Sequence, residues 1–329
     1  ALDVTDATAT QPTVLWEFND SDDQDLGYTY GKPEIVRISS TGEWVALLPN
    51  GYNNSQSDTS NPLDPDNHVS TTGNAVMYVV RLSDGQLITK IDTGIGSSTT
   101  PNGLATPVGV DSEFVAGGAL TSGGGVDIGV DLAYAGDLYG NLWRFDLSDT
   151  DPSNWTATAL VSAQNNMDRP ITVQPKVIAL PNANQSAYDD LMVIVGTGKY
   201  IEIPDRDINL PADQYLFGVI DGISSTEVGL DMMDSGFVEQ TMNGNASFRS
   251  LSNNDIDYIQ DYGWKLKLID QGERVFNPMA LFGSDLMLAT TNVTAGVDPC
   301  LPGGKSWIVS LNPLTGGTPI QGGSEIDIF

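Results

Sequence analysis

The chain has 329 residues, a hydrophobic fraction of 40%, 35 glycines and 18 prolines, enough to bury a sizeable core between many turns. Forty-three Asp and Glu against 14 Lys and Arg give a formal charge of −29, which repels phosphate backbones and argues against nucleic acid as a partner. The one cysteine, Cys300, excludes an internal disulfide and a cysteine-based zinc cluster, and no apolar run is long enough to span a bilayer.

The chain opens on the strand-like Ala1-Leu-Asp-Val-Thr-Asp6, with no initiator Met and no charged-then-apolar leader. It reads as a processed piece of a longer protein, in which Cys300 is either a free thiol or paired outside this segment. A second strand is expected over 14–18, then short apolar runs at 32–38 and 44–48. Residues 75–82, the turn Ser83-Asp84-Gly85 and 86–92 form a clean hairpin signal. Residues 142–147 lead through a polar turn to 155–161, and 215–220 lead into Asp221-Gly222. Further runs lie at 171–180, 191–195, 279–282, 285–290 and 306–311. Apolar alternation bounded by Gly, Asp and Asn predicts strands, with no amphipathic helix longer than two turns. Three stretches, 53–74, 112–126 and 222–257, break the rhythm and read as insertions, either rim decoration or a contact surface. Many short strands at regular spacing mean sandwich, barrel or propeller. A repeating unit of apolar strand ending in Asp or Asn, polar turn and second strand selects a single all-β propeller domain over 1–329. The unit resembles the quinoprotein-like blade, with about seven blades expected.

The densest stretch is 127–146, which reads as a hairpin. Apolar runs at 132–135 and 141–145 flank Gly136-Asp137-Leu138-Tyr139-Gly140, whose glycines supply the positive φ of a tight turn. Tyr134-Ala-Gly-Asp137-Leu-Tyr-Gly140-Asn141-Leu-Trp143-Arg144-Phe-Asp146-Leu resembles the signature of the PilY family, the type IV pilus biogenesis factors and tip-associated adhesins. Leu26-Gly-Tyr-Thr-Tyr-Gly-Lys-Pro33, Asn50-Gly-Tyr-Asn53, Gly196-Thr-Gly-Lys-Tyr200, Gly272-Glu-Arg-Val275 and Asp298-Pro-Cys300 through Leu314-Thr-Gly-Gly317 match in the same order, so the likeness spans nearly the whole chain. The resemblance implies a C-terminal β-propeller that acts by binding, not catalysis, in pilus assembly and adhesion. Its implied partners are minor pilins of the tip complex and a host or abiotic surface, and its implied location is extracellular. The rival readings are a structural subunit of a filament or surface layer, and a quinoprotein dehydrogenase.

The resemblance also implies a calcium loop just before the signature, patterned Asp-x-Asp/Asn-x-Asp-Gly-x-x-Asp. Such a loop points alternate oxygens into one concavity and closes a cage of about six to eight ligands. Asp127 and Asp131 fall on its last two acidic positions, but Ile128 stands where the glycine should be, and Gly123 and Gly125 stand on the first ligand positions. A gapped alignment restores Asp111 and Glu113 as the first ligands, with an insertion inside the loop. The loop is then either a calcium site of Asp111, Glu113, Asp127 and Asp131 or a relic without metal. The acidic group Asp20, Asp22, Asp23 and Asp25 reads as a solvated turn or a weak cation site, and Asp205 and Asp207, and Asp255 and Asp257, read as solvated turns. The lone histidine, His68, reads as a surface loop residue, and no nucleophile or zincin motif is present. Gly196-Thr-Gly-Lys199-Tyr reads as a turn rather than a phosphate loop, and the six tryptophans read as packing between strands.

Overall fold

A computed structural model describes residues 1–6, 8, 11–55, 69–112, 129–163, 168–180, 191–222, 229–245, 248–293 and 304–319. A short hairpin of β1 (Leu2–Asp3) and β2 (Thr13–Val14) precedes the first full sheet. That sheet is an antiparallel ladder of β3 (Glu34–Arg37), β4 (Trp44–Pro49), β5 (Asn74–Arg81) and β6 (Leu87–Gly96), in that order. The turn after β5 is capped by Trp16, whose Nε1 donates to the Leu82 carbonyl at 2.9 Å.

The second sheet repeats the plan with β7 (Val108–Val110), β8 (Leu132–Gly136), β9 (Leu142–Asp146) and β10 (Thr156–Ser162). The signature stretch is the β8–β9 hairpin expected from sequence. Only Gly140 takes a positive φ, +94°. Gly136 serves a different need, because a Cβ there would lie 2.1 Å from Ile171. The third sheet starts with β11 (Lys176–Ala179), β12 (Leu191–Gly196) and β13 (Tyr215–Asp221).

The stretch 222–257, read from sequence as an interruption, instead supplies four short strands among its described residues. β14 (Leu230–Asp231) adds in parallel to β10, and β15 (Phe237–Gln240) adds in parallel to β18 (Gly263–Lys267), the fourth strand of the third sheet. Between them β16 (Met242–Gly244) and β17 (Arg249–Leu251) form a hairpin. Strands of two to four residues in polar sequence leave no periodic trace. The fourth sheet holds β19 (Glu273–Arg274), β20 (Ala280–Phe282), β21 (Asp285–Asn292) and β22 (Lys305–Leu311), with β19 and β20 sharing one edge of β21 and β22 on the other. The described residues thus form four blade-type sheets, and a count of about seven finds no support among them.

Alternation explains how the sheets stack. Successive side chains of a strand point to opposite faces. On β8, Ala133 and Ala135 join the core shared with the first sheet, while Leu132 and Tyr134 join the core shared with the third. On β13, Tyr215, Phe217 and Val219 face the second sheet, and Leu216 and Ile220 face the fourth. Strands buried on both faces carry unbroken apolar runs, which is why β5, β8, β12 and β13 are prominent in the sequence. Trp264 of β18 seats its indole across Gly218, where a Cβ would lie 2.2 Å from Nε1, and donates to the Pro313 carbonyl at 3.0 Å. No helix among the described residues is long and apolar enough to cross a membrane.

Candidate functional site

The segments that carry the resemblance lie in different sheets, yet four of them meet around one cleft of about 620 Å³. Each couples a buried polar anchor to a neighbour that faces the cleft. Asn50, fully buried after β4, accepts from Val76 N at 3.0 Å and Leu104 N at 2.9 Å, and donates to the carbonyls of Asp25 and Asn74. The chain beyond it presents Tyr52 and Asn53.

Asp137, in the β8–β9 turn, is completely buried and accepts four bonds. Asn102 Nδ2, Asn141 Nδ2 and Trp143 Nε1 converge on Oδ2 at 2.9, 2.7 and 2.8 Å, and Asn141 N reaches Oδ1 at 2.8 Å. Complete burial pushes its carboxyl above the usual carboxylate range, against the lowering effect of those bonds. The next residues, Leu138 and Tyr139, line the cleft. Two other signature residues reach across to the third sheet: Tyr134 donates its hydroxyl to Asp221 Oδ2 at 2.5 Å, and Arg144 Nη1 meets Asp221 Oδ1 at 2.7 Å.

Thr197, at the end of β12, accepts from Tyr215 N at 2.9 Å, and Gly198 and Lys199 follow it into the cleft wall. Arg274, 1% exposed, holds that wall together. Its guanidinium donates to the carbonyls of Gly272 (3.0 Å), Lys199 (3.1 Å), Asp205 (2.8 Å) and Asp207 (2.8 Å). Burial depresses its pKa, opposed by the nearby charges of Asp205 and Asp207. Glu273 beside it is buried on the other side of the strand, 2.6 Å from Arg249 Nη1. Lys199 Nζ lies 2.8 Å from Glu202 and 3.4 Å from Asp205. Burial alone would lower its pKa, but those carboxylates together raise it. The Gly196–Tyr200 motif is not the turn expected from sequence: it runs on from β12 as an extended connection in which Gly198 bridges in parallel to Ile171. Its place in a cleft wall was not legible, since nothing local marks a residue that must meet Tyr52 and Tyr139.

The expected calcium ligands are placed only in part. Val110 pairs with Leu132, so Asp111 and Asp131 continue the β7–β8 pair just beyond it. Both Asp131 oxygens accept from Ser112, Oδ1 from its N at 2.9 Å and Oδ2 from its Oγ at 2.5 Å. Glu113, Asp127 and Ile128 lie outside the described residues, as do His68 and Cys300. Among the described residues, no three acidic, histidine or cysteine side chains gather into a metal cage.

The acidic cluster at 20–25 departs from a solvated turn at two positions. Asp23 and Asp25 both close on Lys90 Nζ, at 2.9 and 2.6 Å, and Asp25 also takes bonds from Ser70 and Thr72. A cation of the protein itself, 65 residues away in sequence from Asp25, occupies the place a solvent ion would take. Asp205 also departs from a solvated turn, being buried with its Oδ2 accepting from Ile201 N at 2.8 Å and Glu202 N at 2.9 Å, whereas Asp257 is an exposed turn residue as expected, accepting from Ile259 N at 3.0 Å. Trp143, Trp155, Trp264 and Trp307 are buried packing residues, whereas Trp44 is exposed.

The family model described as the PilY1 beta-propeller domain matches residues 1–254. The type IV pilus biogenesis factor PilY1 of Pseudomonas aeruginosa UCBPP-PA14 is 30% identical over 371 residues, covering 96% of this chain and 29% of that protein. A PilY1 homolog of Xylella fastidiosa is 31% identical over 340 residues, covering 97% of this chain and 21% of that protein. This chain therefore spans less than a third of either relative. The crystal structure of the P. aeruginosa PilY1 C-terminal domain superposes with a TM-score of 0.74 at 25% identity, over 96% of this chain and 64% of that one. With an all-β architecture of stacked blades, a matching family model over most of its length and this structural neighbour, the chain belongs to the PilY1 β-propeller domain family.

Proposed function

We propose that this propeller acts by binding, as the pilus-biogenesis and adhesion module of a longer protein at the outer cell surface. One observation carries the reading: the segments on which the sequence resemblance rests converge on one open cleft, and Asp137, Lys199 and Arg274 within them are engaged in holding its walls. Groups locked in place in this way build a rigid recognition surface and leave no acid–base pair poised for proton transfer among them. The partners this reading names are the minor pilins of a tip complex and a host or abiotic surface. Calcium bound between Asp111 and Asp131, and closed by Glu113 and Asp127, would modulate it. Asp111 and Asp131 carry hard carboxylate oxygens, the donor type that ion prefers, and they adjoin the last paired residues of β7 and β8, Val110 and Leu132.

The test is genetic complementation. In the organism that carries this gene, a strain lacking the full-length protein receives either the intact protein or a version without residues 1–329. The intact protein restores surface pili and twitching, and the truncated version does not. Full restoration by a stably exported truncated version overturns the assignment.

A further inference from the structure

The cleft carries chemistry that selects a ligand. Four carboxylates line it, Asp168, Glu202, Asp205 and Asp207, against two cations, Lys199 and Arg274. Both cations are engaged, Lys199 by Glu202 and Asp205 and Arg274 by backbone carbonyls, so an entering anion meets repulsion without an offsetting partner. The chain's charge of −29 works in the same direction.

Gln214 adds an independent observation. It lines the same cleft and is 3% exposed. Its Nε2 donates to the carbonyls of Asp168 at 2.8 Å and Ala212 at 3.0 Å, which fixes the amide orientation. Its Oε1 is left as a buried acceptor with no hydrogen-bond partner. A buried acceptor without a partner costs about 1–3 kcal/mol, which a donor entering the cleft would relieve. The remaining wall is apolar and aromatic, with Tyr52, Leu138, Tyr139, Pro170 and Leu210. Carboxylates and an amide acceptor beside an apolar wall match a long alkyl stem that ends in an ammonium group.

We propose that this cleft receives a lysine side chain carried on a short basic segment of a partner protein. The stem lies along the aromatic and proline wall, and the ammonium donates to the carboxylates and to Gln214 Oε1. The cleft volume of about 620 Å³ has room for the residues flanking that lysine. The inference rests on the binding reading of the cleft, and its test uses no pilus.

The probe is a tetralysine peptide with blocked termini, compared with the same peptide acetylated on every Nζ. Binding to the intact 329-residue chain is measured by calorimetry. A carbodiimide then joins bound amines to the carboxylates they touch, and mass spectrometry maps the amides. The expected result is that tetralysine binds, the acetylated peptide does not, and cross-links fall on Asp168, Glu202, Asp205 or Asp207. The double variant Glu202→Gln with Asp207→Asn weakens binding by about fivefold or more, the size of partly exposed ion pairs. A control pair outside the cleft, Asp257→Asn with Asp261→Asn, makes the same charge change with less than a twofold effect. Equal weakening by both pairs, or cross-links scattered over the surface, means attraction to net charge alone and overturns the proposal. Cross-linking uses the unaltered protein, so it decides the matter even if a variant folds poorly. A chain that binds tetralysine here but is dispensable for piliation refutes the pilus assignment alone.

Discussion

Asp137→Asn is the sharpest perturbation of the cleft's foundation. The carboxylate uses both oxygens, Oδ2 for three side-chain donors and Oδ1 for the Asn141 amide. A carboxamide has the same shape but one oxygen. With that oxygen on the three-donor side, its NH₂ faces the Asn141 N–H, and two sets of buried donors are stranded against each other. The reverse orientation strands three donors. Each unpartnered buried donor costs about 1–3 kcal/mol, and neutralising a buried charge returns part of that, so the expected loss is about 2–4 kcal/mol. Urea unfolding followed by circular dichroism reads this as a lower midpoint at unchanged slope. The pH dependence separates the charge from the shape. The folded carboxyl is raised above its unfolded value, so it takes a proton at higher pH in the native state than in the unfolded chain. Native stability contributed by this group therefore rises as pH falls through the folded pKa toward about 3.9, and the Asn variant lacks that gain. The gap between wild type and variant should widen on acidification. A loss below about 1 kcal/mol at neutral pH would refute the four-bond account of the turn.

Lys90→Met removes the cation shared by Asp23 and Asp25 and should lower stability by about 1–3 kcal/mol, because Asp25 is left buried without its partner. For Asp25, burial acts to raise the pKa but the bonds from Lys90 and Ser70 prevail and hold it low, so its contribution is present above about pH 4 and is lost as pH falls through the folded value. The variant should show less loss over that range, and equal acid sensitivity would count against the pairing. Gly218→Ala forces a Cβ to 2.2 Å from the Trp264 indole and should destabilise by about 1–3 kcal/mol with a red shift of tryptophan fluorescence. A silent substitution would mean the indole is seated elsewhere. Calcium in hundredfold excess over its dissociation constant should stabilise the wild type by about 2.7 kcal/mol in thermal melting and leave Asp131→Ala unmoved. No response from either protein would make the 111–131 loop a relic.

The blade strands were legible because burial on both faces writes an unbroken apolar run, as in Val76–Val80 and Leu191–Val195. The β8–β9 hairpin was legible for a second reason, since its turn needs Gly140. The strands inside 222–257 escaped notice because each is too short to show a period and two pair in parallel with residues far away. The same distance hid the chemistry. Asp23 and Asp25 are local in sequence, but Lys90, which neutralises them, lies on a strand edge that only the fold brings near. The cleft needs Tyr52, Tyr139, Lys199 and Arg274 from four separate sheets or their connections, and no spacing rule links them. Of the four acidic residues expected at the loop, Asp111 and Asp131 fall at the same end of the β7–β8 pair, a placement that follows from the pairing of Val110 with Leu132 and not from their spacing in the sequence.

The two-sided strands also set how the molecule responds to error. Val193 contacts the core toward the second sheet and Met192 the core toward the fourth, although they are adjacent on β12. Truncating one loosens a single interface and leaves its neighbour's partner intact, so damage stays nearest-neighbour in extent, as in a linear repeat array. A slip of β12 by one residue has the opposite character. It exchanges every side chain between the two interfaces at once, putting Val193 where Met192 belongs and the reverse along the whole strand. No partial slip conserves either core. Strand pairing during folding is thereby proofread from both sides, and a misregistered blade is rejected by two neighbours rather than one.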